Sequence, residues 1–270
     1  MLAGFELRCP RRCTYTSSFW HFPLHSHTPL TQFNLGWKIA IVEKNLAPRA
    51  LLCTYDEERL PVIAWMLQET VNIAKQREDS TRDAAQYKGP IQHPRHLKQF
   101  GINYRWSSIV LDERRPVAPG EERDPYGVNT GGGEAPRAGD RAPSATGLVR
   151  RGDGKTIILF DLFSPDRHTA LVFGVDPAGV APVIESLNAL PRGTVASFAV
   201  LPPGSTATAV EGVDDTLLDR DGIAYDTYGM TKEQTFGVIV RPDGVIGAIV
   251  SGGDGAAKYF GKIFSSDSSA

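Results

Sequence analysis

A chain of 270 residues, 41% hydrophobic and with a net charge of −2, is long enough for one large domain or two small ones and apolar enough to bury a core. The charge, slightly basic in the first half and acidic after Ser144, contains no run of one sign and gives no global attraction to nucleic acid or anionic lipid. No stretch of about 18 apolar residues exists to span a membrane, and the N-terminus lacks the continuous apolar segment of a secretory signal; the three cysteines, Cys9, Cys13 and Cys53, fit a reducing compartment, the cytoplasm, rather than a disulfide framework.

Residues 1–32 have no hydrophobic period and read as an irregular leader. Cys9 and Cys13 stand there with Arg11 and Arg12 between them. A zinc site would need two more ligands, for which His21, His25 and His27 are near enough; the plainer reading is a basic, histidine-containing leader. From Phe33 to Glu43 apolar residues recur at three and four, with Phe33, Trp37 and Ile41 on one face and Ala40 beside it, which predicts a helix. Pro48 ends it. A second helix is expected from Arg49 until Pro61 kinks or restarts it, and Ile63, Met66, Leu67, Thr70, Val71 and Ala74 predict a third, amphipathic helix to about Arg77. Residues 79–90 read as a loop. Gly101 to Asp112 has a composition that favours extended structure. Residues 116–143, with Gly131-Gly132-Gly133 and several prolines, read as a linker or a packed lid-like loop.

A compact α/β unit is legible after Ser144. Strands are expected at Thr156–Phe160, Thr169–Phe173 and Thr194–Leu201, and a helix at Asp176–Leu190. Strands at Phe236–Val240 and Val245–Val250 flank the turn Arg241-Pro242-Asp243-Gly244, in which Pro presets the bend and Gly supplies a positive φ. Asp254–Phe264 ends the chain as an amphipathic helix. Strand, helix, strand, hairpin, helix is the thioredoxin-like order.

Several of these segments carry a resemblance. Asn34, Leu35, Trp37, Lys38 and Ala40 form N-L-x-W-K-x-A. Leu51, Leu52, Tyr55, Glu58, Arg59 and Pro61 form L-L-x-x-Y-x-x-E-R-x-P. With GINYRWSSIVLD (101–112), RAGDRAP (137–143), YDTYG (225–229), FGVIVRPDGVIGAIVSG (236–252) and the late KYF (258–260), they resemble the phenol 2-monooxygenase-like FAD-dependent aromatic hydroxylases, over most of residues 33–265. The resemblance implies an α/β chain with a thioredoxin-like C-terminal domain (144–265), preceded by a helical remnant of the FAD and substrate domain (33–115) and a linker (116–143). It implies hydroxylation of a phenolic ring with FAD and NADPH as cofactors and an aromatic substrate. The family's flavin-binding half would lie upstream of Phe33, and its Gly-Asp pair and P-x-G-G-Q-G-x-N loop are replaced here by HSHTPLTQ (25–32). The expectation is therefore a truncated hydroxylase that binds neither cofactor and is inactive alone. The alternative is a non-catalytic thioredoxin-like interaction or dimerisation module.

The residues themselves assign no catalytic, cofactor-binding or metal site. A flavin pyrophosphate needs a G-x-G-x-x-G turn between strand and helix, and none occurs. Gly131-Gly132-Gly133 precedes Pro136 and follows no strand. Gly152-Asp153-Gly154-Lys155-Thr156 reads as a hairpin turn, since Val149 stands where a phosphate loop has its first glycine. Thiol redox chemistry would need Cys-x-x-Cys near Gly174–Gly179, where the sequence is GVDPAG. Tyr104, Arg105 and Trp106 could line an aromatic site but read more plainly as a structural strand packed under the linker. Glu58 and Arg59 read as a helix-surface or domain-packing pair, and His168 stands alone before an apolar strand. Trp37, Ile41, Ile63, Met66 and Leu67 lack the flavin-domain sheet that would cover them. They need cover from the C-terminal domain, another chain or nothing, so self-association through that domain or an exposed helical face is expected.

Overall fold

The computed structural model describes residues 8–9, 13–14, 29–82, 101–118, 120–121, 123–127, 134–207 and 209–264. Two short strands, β1 (Arg8–Cys9) and β2 (Cys13–Thr14), pair antiparallel with Cys9 opposite Cys13. Helix α1 covers Pro29–Glu43, a 3-10 turn covers Arg49–Leu52, and α2 covers Cys53–Arg82. The remaining elements are β3 (Leu111–Asp112), β4 (Leu148–Arg150), β5 (Thr156–Ile157), a 3-10 turn (Leu159–Leu162), β6 (His168–Phe173), α3 (Pro177–Asn188), β7 (Val195–Leu201), β8 (Asp215–Asp219), α4 (Ile223–Tyr228), β9 (Phe236–Val240), β10 (Ile246–Val250) and α5 (Gly253–Phe260). The mixed sheet runs β3-β10-β9-β6-β7-β8-β4-β5. β6, β7 and β8 are parallel; β9 lies antiparallel to both β6 and β10. The expected order is present as β6–α3–β7, the β9–β10 hairpin and α5, with β8 and α4 interposed. Among the described residues no helix is long and apolar enough to cross a membrane.

The sheet is covered on both faces, which explains its uninterrupted apolar strands. Ala170 and Val172 of β6, with Ile239 and Ala248, turn toward α1, α3 and α5, where Trp37, Ile41, Val180, Ile184, Tyr259 and Phe260 close over them. Leu171 and Phe173, with Val238, Val240 and Ile249, turn the other way onto Phe198, Leu217, Tyr225 and Tyr228. Trp37 and Ile41 are thus covered by their own chain. Ile63 and Met66 are half-buried, and Leu67 is exposed.

Helix α2 departs from the sequence expectation. Pro61 neither kinks the chain into two helices nor restarts one; a single helix runs through it. A proline removes the N–H that would bond the carbonyl four residues earlier, here that of Glu57. The indole Nε1–H of Trp106 donates to that carbonyl at 2.8 Å. The freed acceptor is satisfied from outside the helix, and the run continues. Trp106→Phe is expected to orphan it at a cost of about 1–3 kcal/mol. Pro61→Ala in that background restores an N–H and recovers part of the loss. A denaturant double-mutant cycle checks this, and strict additivity of the two changes contradicts it.

Residues 101–110 are turns rather than the expected extended run, and only Leu111–Asp112 pairs, alongside β10. The segment 134–143 is tied down. Ala138, Asp140 and Ala142 are buried, and Gly139, at φ +97°, leaves only 2.5 Å between an added Cβ and the backbone of Arg105, so only glycine fits.

Candidate functional site

The segments that carry the resemblance meet at one buried ionic node. Asn34, Trp37 and Lys38 stand at i, i+3 and i+4 of α1 and so share a face. The first turns of α2 bring Glu58 opposite them, the turn after Tyr104 brings Ser107, and the β9–β10 turn brings Arg241 and Asp243. The guanidinium of Arg241 grips Glu58 in a bidentate pair, Nη1 to Oε1 at 2.7 Å and Nη2 to Oε2 at 3.0 Å. Lys38 Nζ donates to Glu58 Oε2 at 2.8 Å, Asn34 Nδ2 at 2.6 Å, and Ser107 Oγ to Oε1 at 2.7 Å. Asp243 accepts from Arg241 Nε at 3.0 Å and again from Nη2, and from Asn34 Nδ2 at 3.1 Å and Trp37 Nε1 at 3.2 Å. The guanidinium carbon lies 5.2 Å from the centre of the Trp37 ring and 5.8 Å from that of Tyr104.

Two cations and two carboxylates make the node neutral. The side chains of Lys38, Glu58 and Arg241 are fully buried. Burial alone pushes the Glu58 carboxyl up, but Arg241 and Lys38 outweigh it and hold the group well below the usual carboxylate range. Burial brings Lys38 down to about 8 against the attraction of Glu58. Arg241 is desolvated too, yet Asp243 and Glu58 hold it firmly charged. Every strong donor faces an acceptor, and Glu58 has no free lone pair aimed at solvent. The arrangement can pin elements together; it cannot shuttle a proton to a substrate.

The other residues considered from sequence sit around this node. Arg59 is not the partner of Glu58; its Nη1 donates to the Tyr104 hydroxyl at 2.9 Å. Arg105 forms a bidentate pair with Asp140, at 2.7 and 2.8 Å, tying residues 101–110 to 134–143. Trp65 stacks on Tyr126 with ring centres 4.0 Å apart. His168 is buried edge-to-face among Trp37 (5.4 Å), Tyr259 (6.1 Å), Phe260 (5.5 Å) and Phe264 (6.1 Å). Burial, with Arg241 adding to it, lowers its pKa to about 3, against the carbonyl of Thr194. Sequence reasoning missed Asn34, Lys38, Arg241 and Asp243 as a unit. The available signal was Asn34 and Lys38 on the same helical face as Trp37 and Ile41, polar groups where an apolar stripe predicts none.

The chain's own strand-to-helix turn tests whether a flavin pyrophosphate fits. Between β6 and α3, the Asp176 carboxylate already accepts from Ala178 N at 3.1 Å, so a negative group occupies the helix N-terminus. A Cβ at Gly174 or Gly179 would meet Thr235 Oγ1 at 2.7 or 2.6 Å, so the close backbone approach is filled. A dinucleotide does not fit this turn. Gly152–Thr156 is the β4–β5 hairpin turn, with Arg150 N bonded to the Lys155 carbonyl. Gly131-Gly132-Gly133, His21, His25 and His27 lie outside the described residues. Cys53 opens α2.

No family model matches the chain. It is 30% identical, over 86% of its length, to a flavin-dependent monooxygenase of Mycobacteroides abscessus and 29% identical, over 80%, to the pentachlorophenol 4-monooxygenase of Sphingobium chlorophenolicum. It spans about a third of each relative, 34% and 37%. Among solved structures it is similar to the OxyS anhydrotetracycline hydroxylase of Streptomyces rimosus (TM-score 0.52, 25% identity, 87% of this chain and 39% of that one). It shares its fold with aklavinone-11 hydroxylase, solved with FAD and aklavinone (TM-score 0.55, 24% identity, 86% of this chain and 38% of that one).

Proposed function

We propose that this chain, which is similar over most of its length to FAD-dependent monooxygenases of the aromatic hydroxylase family, supplies the C-terminal portion of such an enzyme. In this reading 144–265 is a thioredoxin-like domain, supported by the order β6–α3–β7, β9–β10, α5. Helices α1 and α2 are the part of the flavin and substrate domain that docks on it. The observation that carries the reading is the convergence of four resembling segments on Glu58 and Arg241. Residues far apart in sequence, each part of the resemblance, serve one junction between helices and sheet.

The activity of the whole enzyme would be hydroxylation of an aromatic ring, with FAD reduced by NADPH and oxygen activated on the flavin. The β6–α3 turn of this chain, filled by Asp176 and Thr235, would not hold the flavin pyrophosphate. The role of this chain's residues is to hold the sheet against the helices and to keep water out of that junction. A thioredoxin-like domain whose turn reads GVDPAG acts as a packing element rather than a redox centre.

Two measurements test this. The purified 270-residue chain, titrated with FAD, is expected to show no saturable quenching of flavin fluorescence below about 1 mM, a range of weak, non-specific association; stoichiometric bound flavin overturns that half. Exchanging the matching third of the Mycobacteroides abscessus monooxygenase for residues 33–264 is expected to give a chimera that retains flavin and consumes NADPH. If it is insoluble, the two parts are co-expressed as separate chains. A folded chimera or co-purified pair without flavin overturns the proposal.

A further inference from the structure

The β1–β2 hairpin sets two of the chain's three cysteines opposite each other. Arg8 pairs with Thr14 and Cys9 with Cys13 across the antiparallel ladder. In sequence only Pro10, Arg11 and Arg12 separate the two cysteines. Partner residues of an antiparallel pair share a face of the ribbon, with Cα atoms about 4.5 or about 5.5 Å apart according to the type of pair. Both spacings fall within the roughly 4.4–6.8 Å that a disulfide spans. A register shifted by one residue would put the two cysteines on opposite faces. The observed register is the one that a bridge between them needs.

The setting favours exchange over a permanent bridge. The attacking form of a cysteine is its thiolate, which neighbouring positive charge stabilises. Residues 6–13 hold three arginines, Arg8, Arg11 and Arg12, against one carboxylate, Glu6. The loop that the bridge would close is also short, and closing a short loop removes little entropy from the unfolded chain. Such a bridge gains little from folding and follows the redox state of its surroundings. In a reducing compartment the pair rests as two thiols, and it closes when small disulfides accumulate.

We propose that Cys9 and Cys13 form a reversible dithiol–disulfide site whose co-reactant is a small-molecule disulfide such as oxidised glutathione. One cysteine thiolate attacks the small disulfide, forms a mixed disulfide and releases one small thiolate. The thiolate of the other cysteine attacks the protein sulfur of that mixed disulfide, closes the bridge and releases the second small thiolate. The two cysteines lose two electrons and the co-reactant gains them. The two thiol protons pass through water to the released thiolates. The proposal is independent of the hydroxylase reading and of any flavin chemistry.

The full chain carrying Cys53→Ser is equilibrated in mixtures of reduced and oxidised glutathione, quenched with acid, alkylated and weighed. The expected product has lost about 2 Da, the two thiol hydrogens, and carries no glutathione. Trypsin, which cuts after Arg11 and Arg12, should leave peptides joined through Cys9 and Cys13. The wild-type chain should give the same bridge, with Cys53 still open to alkylation after unfolding. The register is tested by moving one partner. With Cys13→Ser and Thr14→Cys together, the equilibrium for bridging Cys9 should fall at least tenfold, about 30 mV in reduction potential. Thiols that stay reduced at every ratio, glutathione retained on each cysteine, a bridge through Cys53, or an equally stable bridge in the Thr14→Cys chain overturns the proposal.

Discussion

Glu58→Ala is expected to lower the melting temperature by roughly 6–20 °C. The substitution removes the shared acceptor of Arg241 and Lys38, two fully buried cations. Breaking a buried pair by deleting one partner costs about 3–5 kcal/mol, because the remaining charge stays desolvated. A domain of about 150–250 residues loses about 2–4 °C per kcal/mol. Asp243 still pairs with Arg241, so the heavier burden falls on Lys38, which keeps its hydrogen bond to Asn34 Oδ1 at 3.2 Å. Lys38→Met should therefore rescue part of the loss, with a coupling of about 0.5–3 kcal/mol in a double-mutant cycle. Calorimetry of the four chains measures it. A shift of less than about 2 °C for Glu58→Ala would mean that water reaches the node and that the helices are held by apolar packing alone.

His168→Phe is expected to remove most of the loss of stability between pH 6.5 and 4.5. The buried imidazole has its pKa lowered from 6.5 to about 3. Between those values the unfolded chain binds a proton that the folded chain refuses, so stability is full above pH 6.5 and falls as the pH drops toward 3. The slope is about 1.4 kcal/mol per pH unit, or roughly 2–3 kcal/mol across this window. Glu58, also held low, contributes stability that is present above its ordinary value of 4.5 and lost only below it. Above 4.5 the Glu58 contribution is complete, so the difference between the wild-type and His168→Phe profiles in this window reads the histidine. Phenylalanine keeps an aromatic ring among Trp37, Tyr259, Phe260 and Phe264 and has nothing to protonate. Urea midpoints at pH 7, 6, 5 and 4.5 for both chains give the comparison, with His168→Leu as a second variant. Parallel pH profiles for wild type and variants would refute it.

The parts of this fold legible from sequence are those whose signal is local. β9 and β10 are unbroken apolar runs, and β6 is one after His168 and Thr169, because the sheet is covered on both sides, and the turn at Pro242 and Gly244 has its own chemistry. β8 and α4 escaped notice because Asp215, Asp219, Asp226 and their neighbours dilute a short apolar pattern, although Leu217, Ala224 and Tyr228 are buried. Pro61 misled for a different reason. The compensation comes from Trp106, 45 positions later, and no local rule contains it. The node lay beyond a single sequence altogether. Its pieces were visible as separate motifs, but nothing in one chain says that Glu58 and Arg241, separated by 183 positions, are partners. Adjacency in sequence pairs Glu58 with Arg59, whereas the fold sets Arg59 against the Tyr104 hydroxyl.

That separation of 183 positions sets a timetable for the chain as it is made. At about 5–20 residues per second, roughly 10–40 s pass between the synthesis of Glu58 and that of Arg241. Through that interval Glu58 and Lys38 can be paired and hydrated, but not sealed, because the strands that exclude water from them do not yet exist. The apolar side of α1, with Trp37 and Ile41, waits uncovered for the same interval. Closure comes only when the β9–β10 turn leaves the ribosome. The last quarter of the chain thus decides when the first quarter stops being a client for chaperones, and a translational pause before residue 241 lengthens that exposure directly.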